Sequence, residues 1–204
     1  KNGDGIDADE EKANHYIQIG ADKGDLDMMN EYGVILKGGS KGIEPNKKEA
    51  FLYFEKAALK DHLEAMYNYA LMIKAGADGT GRANLVKACE YFKKAADRGH
   101  LQAMAAYARM KERGEGCDID IKEACRYLKL AADKGHEDSM TQYGCLLRNG
   151  DKGVKINLKE AAKYFKMAAD KGNLPGMNSY AALMEKGFDG VPPDESEALK
   201  YYKK

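Results

Sequence analysis

One short pattern returns along the chain at a nearly fixed interval, and this repetition limits the possible folds more than any other feature. Segments that each start at a tyrosine read YFEKAALKDH, YFKKAADRGH, YLKLAADKGH and YFKMAADKGN. With a divergent first copy and a short last one, the tyrosines recur every 36 to 38 residues, at Tyr16, Tyr53, Tyr91, Tyr127, Tyr164 and Tyr201. Such a period indicates one supersecondary unit copied in tandem, whose copies bury their apolar faces against each other.

Each unit has the spacing of two helices. In the second element of one unit, Met66, Tyr69, Ala70 and Ile73 lie at i, i+3, i+4 and i+7, which is one face of a helix. The tyrosine-led first element has similar spacing, and a glycine such as Gly99 follows a basic residue where that helix should end. The sequence therefore predicts an all-α solenoid of about eleven helices, stacked as antiparallel pairs, with no strand.

The full pattern also resembles a known family. Ala-x-x-Tyr-Phe-x-x-Ala-Ala-x-x-Gly-His, followed by Ala-Met-x-x-Tyr-Ala and a glycine-rich loop, is similar to the Sel1-like repeat (SLR) family of tetratricopeptide-like (TPR-like) helical hairpins. The resemblance divides the chain into a leading half repeat and five repeats, near 1–24, 25–61, 62–99, 100–135, 136–172 and 173–204. It implies a single right-handed α-solenoid domain. Because the sequence ends inside a predicted helix, at YYKK, we expect this domain to be cut from a longer array.

The same resemblance implies a function without catalysis. Members of such families act as protein-protein interaction scaffolds or adaptors, so we expect a protein or peptide partner, no enzyme activity and no cofactor. The alternative is a regulatory or structural segment of a larger signalling enzyme that packs against its own chain. A catalytic domain elsewhere in a longer sequence would favour this alternative, because fold alone does not determine function.

Composition narrows the partners and the compartment. The chain has 33 basic and 33 acidic residues, whereas domains that bind a phosphate backbone usually have a basic excess, so we expect no nucleic-acid partner. No apolar run approaches the roughly 20 residues that span a bilayer, so we expect no membrane insertion. No signal-peptide pattern is present, which favours the cytoplasm, with the ER lumen as the alternative if a signal has been removed.

The cysteines point to a reducing environment. None of them forms a Cys-x-x-Cys pair, and we expect all four to be reduced: Cys89, Cys117, Cys125 and Cys145. One subfamily of the resembled repeats has a disulfide within each hairpin, and the corresponding positions here hold other residues. These positions are Ala58 with Met66 and Ala96 with Met104.

The first residues imitate a calcium loop. Asn2, Asp4 and Glu11 fall at ligand positions if Gly5 is the loop glycine, but Asp7 then takes the position that should be apolar. The segment also aligns with a loop between repeats further along the chain. We therefore interpret it as a repeat boundary that leads into the first helix, and we expect no metal.

Other possible chemical motifs have structural explanations. His62, His100 and His136 occupy the same turn in successive repeats, where neighbouring copies lie roughly 10 Å apart, too far to share one zinc ion. The GADGTG stretch at 76–81 follows a helix and lacks the Lys-Ser/Thr of a phosphate-binding loop. We expect neither a metal site nor a catalytic site in this chain.

A second stripe on the second helix of each unit lies about 120° from its apolar stripe. In TPR-like arrays the corresponding stripe lines the concave face, so the resemblance implies a partner-binding site there. The predicted site comprises Asp27, Asn30, Lys37, Glu64, Tyr67, Leu71, Lys74, Gln102, Arg109, Glu112, Arg113, Asp138, Thr141, Arg148, Asn178 and Glu185. Arg109, Arg113 and Arg148 would form a basic patch for an acidic peptide, since arginine holds carboxylates bidentately. Ordinary solvated charges on a helix face are the alternative.

Overall fold

The computed structural model describes residues 4–77, 81–150 and 153–203. In these residues the chain forms eleven α-helices and no strand, which confirms the predicted all-α class. The helices are α1 (Asp4–Asp22), α2 (Leu26–Gly38), α3 (Lys47–Leu59), α4 (Leu63–Lys74), α5 (Leu85–Asp97), α6 (Leu101–Arg113), α7 (Ile121–Asp133), α8 (Glu137–Asn149), α9 (Leu158–Asp170), α10 (Leu174–Lys186) and α11 (Glu195–Tyr202). No helix within the described ranges is long and apolar enough to cross a membrane.

The chain divides into two compact units, 1–100 with α1 to α5 and 101–204 with α6 to α11. Within each unit, helices that are consecutive in sequence pack against each other as stacked pairs. The odd-numbered helices carry the tyrosine-led pattern and are called the first helices here, and the even-numbered ones are called the second helices. The single continuous solenoid domain expected from the sequence stays a prediction.

Most first helices begin in the same way. The side chain of an Asn or Asp accepts a hydrogen bond from the backbone N–H three residues later, as a good N-cap does; these residues are Asn46, Asn84, Asp120, Asn157 and Asp194. The backbone N–H of each cap also donates to a carbonyl near the end of the preceding second helix, for example from Asn157 to Leu147 over 2.8 Å. Each cap residue therefore bonds both to the helix that it begins and to the helix before the loop.

Close packing inside the repeats depends on small residues. Gly144 on α8 and Gly33 on α2 face the rings of Phe165 and Phe54, which are both fully buried. A Cβ atom at Gly144 would lie 2.6 Å from the Phe165 ring, and one at Gly33 would lie 2.7 Å from the Phe54 ring. Since real Cβ atoms do not approach carbon so closely, only glycine lets these helices meet at this distance.

A series of hydrogen bonds, the tyrosine ladder, joins successive first helices. The hydroxyl of a buried tyrosine donates to an aspartate at the end of the preceding first helix. The pairs are Tyr53 with Asp22 at 2.6 Å, Tyr164 with Asp133 at 2.5 Å and Tyr201 with Asp170 at 2.7 Å. Burial and the hydrogen bond to the carboxylate raise the pKa of each of these tyrosines.

The opening segment differs from its prediction. We interpreted it as a loop between repeats, but α1 begins at Asp4 and runs for 19 residues. The loops between repeats are each held by a hydrogen bond to the preceding helix, whereas the backbone of this segment is helical, and an aspartate-rich sequence suits the start of a helix as well as a loop. Asn2 of the calcium look-alike lies outside the described residues. Elsewhere in the described chain, no group of three His, Cys, Asp or Glu residues is arranged to hold a metal ion.

Candidate protein-interaction surface

The residue before a second helix contacts two repeats at once. Nδ1 of His62 accepts a hydrogen bond from the backbone N–H of Ala65 over 3.1 Å, which caps α4. Because Nδ1 is an acceptor, the ring proton is on Nε2, which donates to the carboxylate of Asp27 on α2 over 2.9 Å. His62 therefore occupies the structural turn position that the sequence predicted, and it also links one repeat to the next.

The equivalent residue at α10 reproduces these bonds with an amide. Oδ1 of Asn173 accepts from the backbone N–H of Gly176 over 2.8 Å and from the Thr141 hydroxyl over 2.9 Å. Its Nδ2 donates to the Asp138 carboxylate over 3.1 Å. Asparagine and histidine can both do this because each offers an acceptor and a donor on opposite edges of a planar group.

His100 makes the corresponding contact with α4. Its Nε2 lies 3.0 Å from the carboxylate of Glu64, and its ring stacks on Tyr67 with 4.6 Å between the ring centroids. Further contacts in the first unit connect α2 and α4, where Nδ2 of Asn68 donates to Oδ1 of Asn30 over 2.9 Å. The second helices of this unit are thus joined directly by polar side chains.

These contacts involve part of the predicted binding site. Six of its residues lie in the first two turns of second helices and face the neighbouring repeat: Asp27, Asn30, Glu64, Tyr67, Asp138 and Thr141. Their side chains satisfy polar groups within the protein, and Thr141 is buried. The start of the stripe therefore stabilises the junctions between repeats.

The later half of the stripe is more open. In the first unit, Val34 has 45% of its surface exposed, Lys37 is exposed, and Leu71 and Lys74 are half-buried. In the second unit Arg109, Glu112, Arg113 and Glu185 are exposed in the later half, and Gln102 and Asn178 are exposed in the first two turns of α6 and α10. Glu185 accepts a hydrogen bond from the Tyr202 hydroxyl over 3.1 Å. The ends of the second helices are therefore accessible. The exposed carboxylates near the helix starts, Asp27, Glu64 and Asp138, are in contrast hydrogen-bonded to the next repeat.

The three arginines of the predicted patch have different surroundings. Arg148 is half-buried: its Nε donates to Oδ1 of Asn149 over 3.2 Å, and its guanidinium lies 5.6 Å from the centroid of the Phe165 ring. Arg113 lies 3.6 Å from a carboxylate oxygen of Glu115. Arg109 is exposed and has the fewest constraints on its side chain.

The charges that act on the half-buried thiol of Cys145 indicate that α6 and α8 lie near each other at this surface. Burial raises the pKa of Cys145, while the positive charge of Arg148 lowers it and the negative charge of Glu112 raises it. Both charges therefore lie close enough to Cys145 to act on it, although Glu112 comes from α6 and Arg148 from α8. The surface therefore combines both signs of charge.

Sequence reasoning missed Asn68 and the double contacts of the cap residues. A signal for the contacts was present, because an acidic residue two positions into a second helix recurs with a His or Asn before the next one. The pairs are Asp27 with His62, Glu64 with His100, and Asp138 with Asn173. None of the four cysteines, all within the described residues, forms a disulfide, and their reduced state in solution stays a prediction.

Stacked helix pairs with capped junctions and an open second-helix surface define a helical-repeat protein. The family model described as "Sel1 repeat" matches the chain over residues 1–25, 26–62, 63–100, 101–136, 137–173 and 174–204. The chain belongs to the Sel1 repeat family. Six repeats match where the sequence reasoning counted five and a half, because the leading segment qualifies as a repeat of its own.

Solved structures with the same fold support this assignment. A Sel1 repeat protein from Oxalobacter formigenes is 28% identical with a TM-score of 0.78, over 87% of this chain and 71% of that one. The protective antigen c5321 of uropathogenic Escherichia coli, described as an SLR fold, has a TM-score of 0.85 at 24% identity, over 93% of this chain and 40% of that one. Cysteine-rich protein B of Helicobacter pylori gives 0.50 at 22% identity, over 68% and 97%. No curated protein sequence matches the chain.

The family gives the class of function. Sel1 repeat proteins are generally protein-interaction scaffolds and generally not catalysts. The expectation of a scaffold therefore holds for the family. The partner and the surface that binds it stay predictions.

Proposed function

We propose that this protein is a scaffold that binds a peptide or protein segment along the ends of its second helices. In TPR-like arrays this stripe lines the concave face, and the proposal places the partner on the equivalent surface here. Within the stripe, binding uses the accessible C-terminal halves, because the first turns are occupied by contacts between repeats. The observation that carries the proposal is that the polar side chains of Asp27, Glu64 and Asp138 at the helix starts are already hydrogen-bonded to the next repeat, whereas the helix ends form an open half of the stripe with exposed side chains such as those of Lys37 and Arg109.

The open half offers suitable chemistry for such a segment. Val34 and Leu71 provide apolar surface, and Lys37 and Lys74 follow them three residues later on the same helices. Repeated helices pack about 10 Å apart, which is close to the length of three residues of an extended peptide. A peptide with acidic and apolar side chains at that interval would meet one lysine and one apolar residue per repeat. Arg109 supplies a further cation in the second unit.

The test compares the open half with an exposed face elsewhere. A partner is captured with the intact protein and identified, and its affinity is then measured for the double variant Lys37→Glu/Lys74→Glu, both within the first unit. The matched control is Lys48→Glu/Lys56→Glu on α3, two exposed lysines outside the stripe. We expect binding to weaken roughly tenfold or more for the stripe variant only, because charge reversal adds repulsion to the lost attraction. Equal weakening in both variants, or in neither, would refute the proposal.

A further inference from the structure

The second unit has a separate charged surface on its first helices. In α7 and α9, two of the three first helices of this unit, the residue before the repeated tyrosine (Tyr127 or Tyr164) and the residue four positions before that one are both exposed cations. They are Lys122 and Arg126 on α7, and Lys159 and Lys163 on α9. We call these four side chains the α7–α9 cationic face.

The carboxylates on α7 and α9 each bind another side chain of the protein, which limits how far they neutralise this face. Glu123 lies 3.0 Å from the ammonium of Lys111, and Glu160 accepts from the Tyr143 hydroxyl over 3.1 Å. Asp133 accepts from Tyr164 and lies 3.1 Å from Lys129. Glu123 and Glu160 are thereby engaged by residues of other helices. Asp133 is half exposed and lies near Lys163, so the four cations are only partly balanced by carboxylates on the exposed side.

Contacts across the two helices place the cations on one surface. The ammonium of Lys129 on α7 donates to the hydroxyl of Tyr164 on α9 over 2.9 Å. The charge of Lys163 on α9 helps to lower the pKa of Asp133 on α7, so these two side chains are near each other. The stem of Lys122 also lies against the loop before α9, since a Cβ at Gly153 would meet it at 2.2 Å.

The side chains are also partly preoriented. The guanidinium of Arg126 lies 4.3 Å from the ring centroid of Tyr127, and the ammonium of Lys163 lies 5.6 Å from that of Tyr164. A cation that rests over an aromatic ring loses less freedom when it meets a ligand than one that moves freely in solvent.

This arrangement is not a general product of the repeat. The positions that hold Lys122 and Arg126 on α7 hold Val86 and Glu90 on α5, and Leu52 takes the place of Arg126 on α3. The first unit therefore presents a mixed apolar and charged surface where the second unit presents four cations. A solvated helix face needs only polar residues, and it does not require the same sign at all four positions.

We propose that the α7–α9 cationic face binds an acidic helical segment of a protein partner. The two cations on each helix are four residues apart, about 6 Å, and an acidic helix repeats its carboxylates at the same interval. Such a helix lying along α7 and α9 can place one row of carboxylates against each pair of cations, in charge-assisted hydrogen bonds.

Charge and surface chemistry favour this ligand over a membrane or a nucleic acid. The whole chain has equal numbers of basic and acidic residues, so it lacks the long-range attraction that brings basic proteins to phosphate-rich surfaces. The exposed carboxylates of Asp133 and Asp170 stand at the ends of α7 and α9 and would repel a phosphate backbone that crossed them. A short acidic helix can end before these carboxylates, whereas a continuous phosphate backbone would have to pass them.

The experiment uses a defined probe with the full chain. A capped helical peptide with glutamates four residues apart along one face is titrated at low salt and at about 0.15 M salt, beside a peptide of the same composition in scrambled order. We expect the regular peptide to bind, and to bind more tightly than the scrambled one. The variant Lys122→Gln/Arg126→Gln/Lys159→Gln/Lys163→Gln should weaken binding about tenfold, since each exposed pair contributes modestly.

Two controls keep the result decisive. The variant Lys48→Gln/Lys56→Gln removes exposed charge from α3 and should leave binding unchanged, and far-UV circular dichroism checks that all variants are folded. If the fourfold variant does not fold, the two double variants are used, each with an expected loss of about threefold. Equal binding of the scrambled peptide, equal loss in the α3 control, or tighter binding of duplex DNA or anionic vesicles at these four residues would overturn the proposal.

Discussion

The turn between α3 and α4 in the first unit and the turn between α9 and α10 in the second have the same role but different residues. The α9–α10 turn contains Asp170, which accepts from a ladder tyrosine, and Gly172, whose φ of +92° suits glycine. The α3–α4 turn has Leu59, 67% exposed, and Asp61 with φ of +64° at the aligned positions. Both turns keep a cap residue that reaches the previous repeat.

This difference shows which parts of the turn are essential to stacking. The cap contact is present in both turns, as His62 with Asp27 and as Asn173 with Asp138. The ladder bond and the glycine are absent from the α3–α4 turn, and α3 and α4 still pack against each other. We infer that the cap contact sets the junction, while the ladder and the glycine add stability that can be lost at one position.

The largest expected effect comes from breaking the ladder where it is complete. Tyr164→Phe removes a hydroxyl that bonds to both Asp133 and Lys129, and should lower the free energy of unfolding by about 1–2 kcal/mol, because hydrogen bonds to charged groups are the stronger ones. Tyr91→Phe is the matched control, since no described carboxylate accepts from Tyr91 and its change should stay within about 0.5 kcal/mol. Urea unfolding measures both; equal losses would show that the ladder bond adds nothing.

The glycine difference predicts two changes of opposite sign. Gly172→Ala should destabilise the second unit by about 1 kcal/mol, because no atom lies within 4 Å of the added Cβ and only the backbone penalty remains. Asp61→Gly should stabilise the first unit by a somewhat smaller amount, since aspartate tolerates this backbone conformation better than most residues.

Native-state hydrogen exchange can assign each of these changes to its unit. Gly38→Ala is the control for Gly172→Ala: it adds the same methyl group in open space, but in a helix with ordinary φ, so it should be neutral or stabilising. A loss at Gly38 as large as that at Gly172 would contradict the backbone explanation.

Alkaline pH should weaken the ladder and leave the cap contacts of the asparagine junction intact. Folding raises the pKa of Tyr164 above its ordinary value of about 10. The ladder bond therefore contributes fully to the free energy of unfolding below pH ~10, and its contribution falls as the pH rises toward the pKa of Tyr164 in the folded protein. At pH ~10.5 this loss should be somewhat under 1 kcal/mol for one tyrosine. The measurement is the difference in unfolding free energy between wild type and Tyr164→Phe at pH 8 and pH ~10.5. A gap that does not narrow at the higher pH would contradict the assignment.

The smallest change should come from repairing the incomplete turn. Leu59→Asp restores the ladder position opposite Tyr91, and we expect a gain of about 0.5 kcal/mol because the site is exposed. The gain should disappear when Tyr91→Phe is added, which a double-mutant cycle detects. A gain that survives this second substitution would come from the removal of an exposed leucine and not from a new hydrogen bond.

The sequence predicted the helices well because their signals are local. Apolar spacing such as that of Met66, Tyr69 and Ile73 needs only the geometry of one helix, and all three side chains are buried as expected. The prediction for the opening segment was wrong, because α1 begins at Asp4. Short stretches rich in glycine and aspartate occur both in loops and at helix starts, so the residue types alone did not distinguish the two.

The candidate site was harder to predict because it depends on distances between helices. Asp27 and Lys37 lie on the same stripe of α2, and periodicity assigns them the same direction. The two residues differ in their contacts because the turn before α4 places His62 beside α2. His62 donates a hydrogen bond to Asp27, whereas Lys37 stays exposed. Sequence spacing gives the angle of a side chain around its own helix, whereas its partner comes from the next repeat.

The two-sided cap residue has a consequence for how such chains evolve. His62 and Asn173 each need one carboxylate behind them and one free backbone N–H in front, and every copy that keeps both can follow any other copy. Duplication or deletion of a whole unit then preserves the junction without compensating substitutions. At the start of α2 this position holds Asp25, whose side chain accepts from the backbone N–H of Met28 and thus caps the helix, but an aspartate has no hydrogen to donate to a carboxylate behind it. Lengthening of the array by recombination is therefore tied to the choice of one planar side chain per unit.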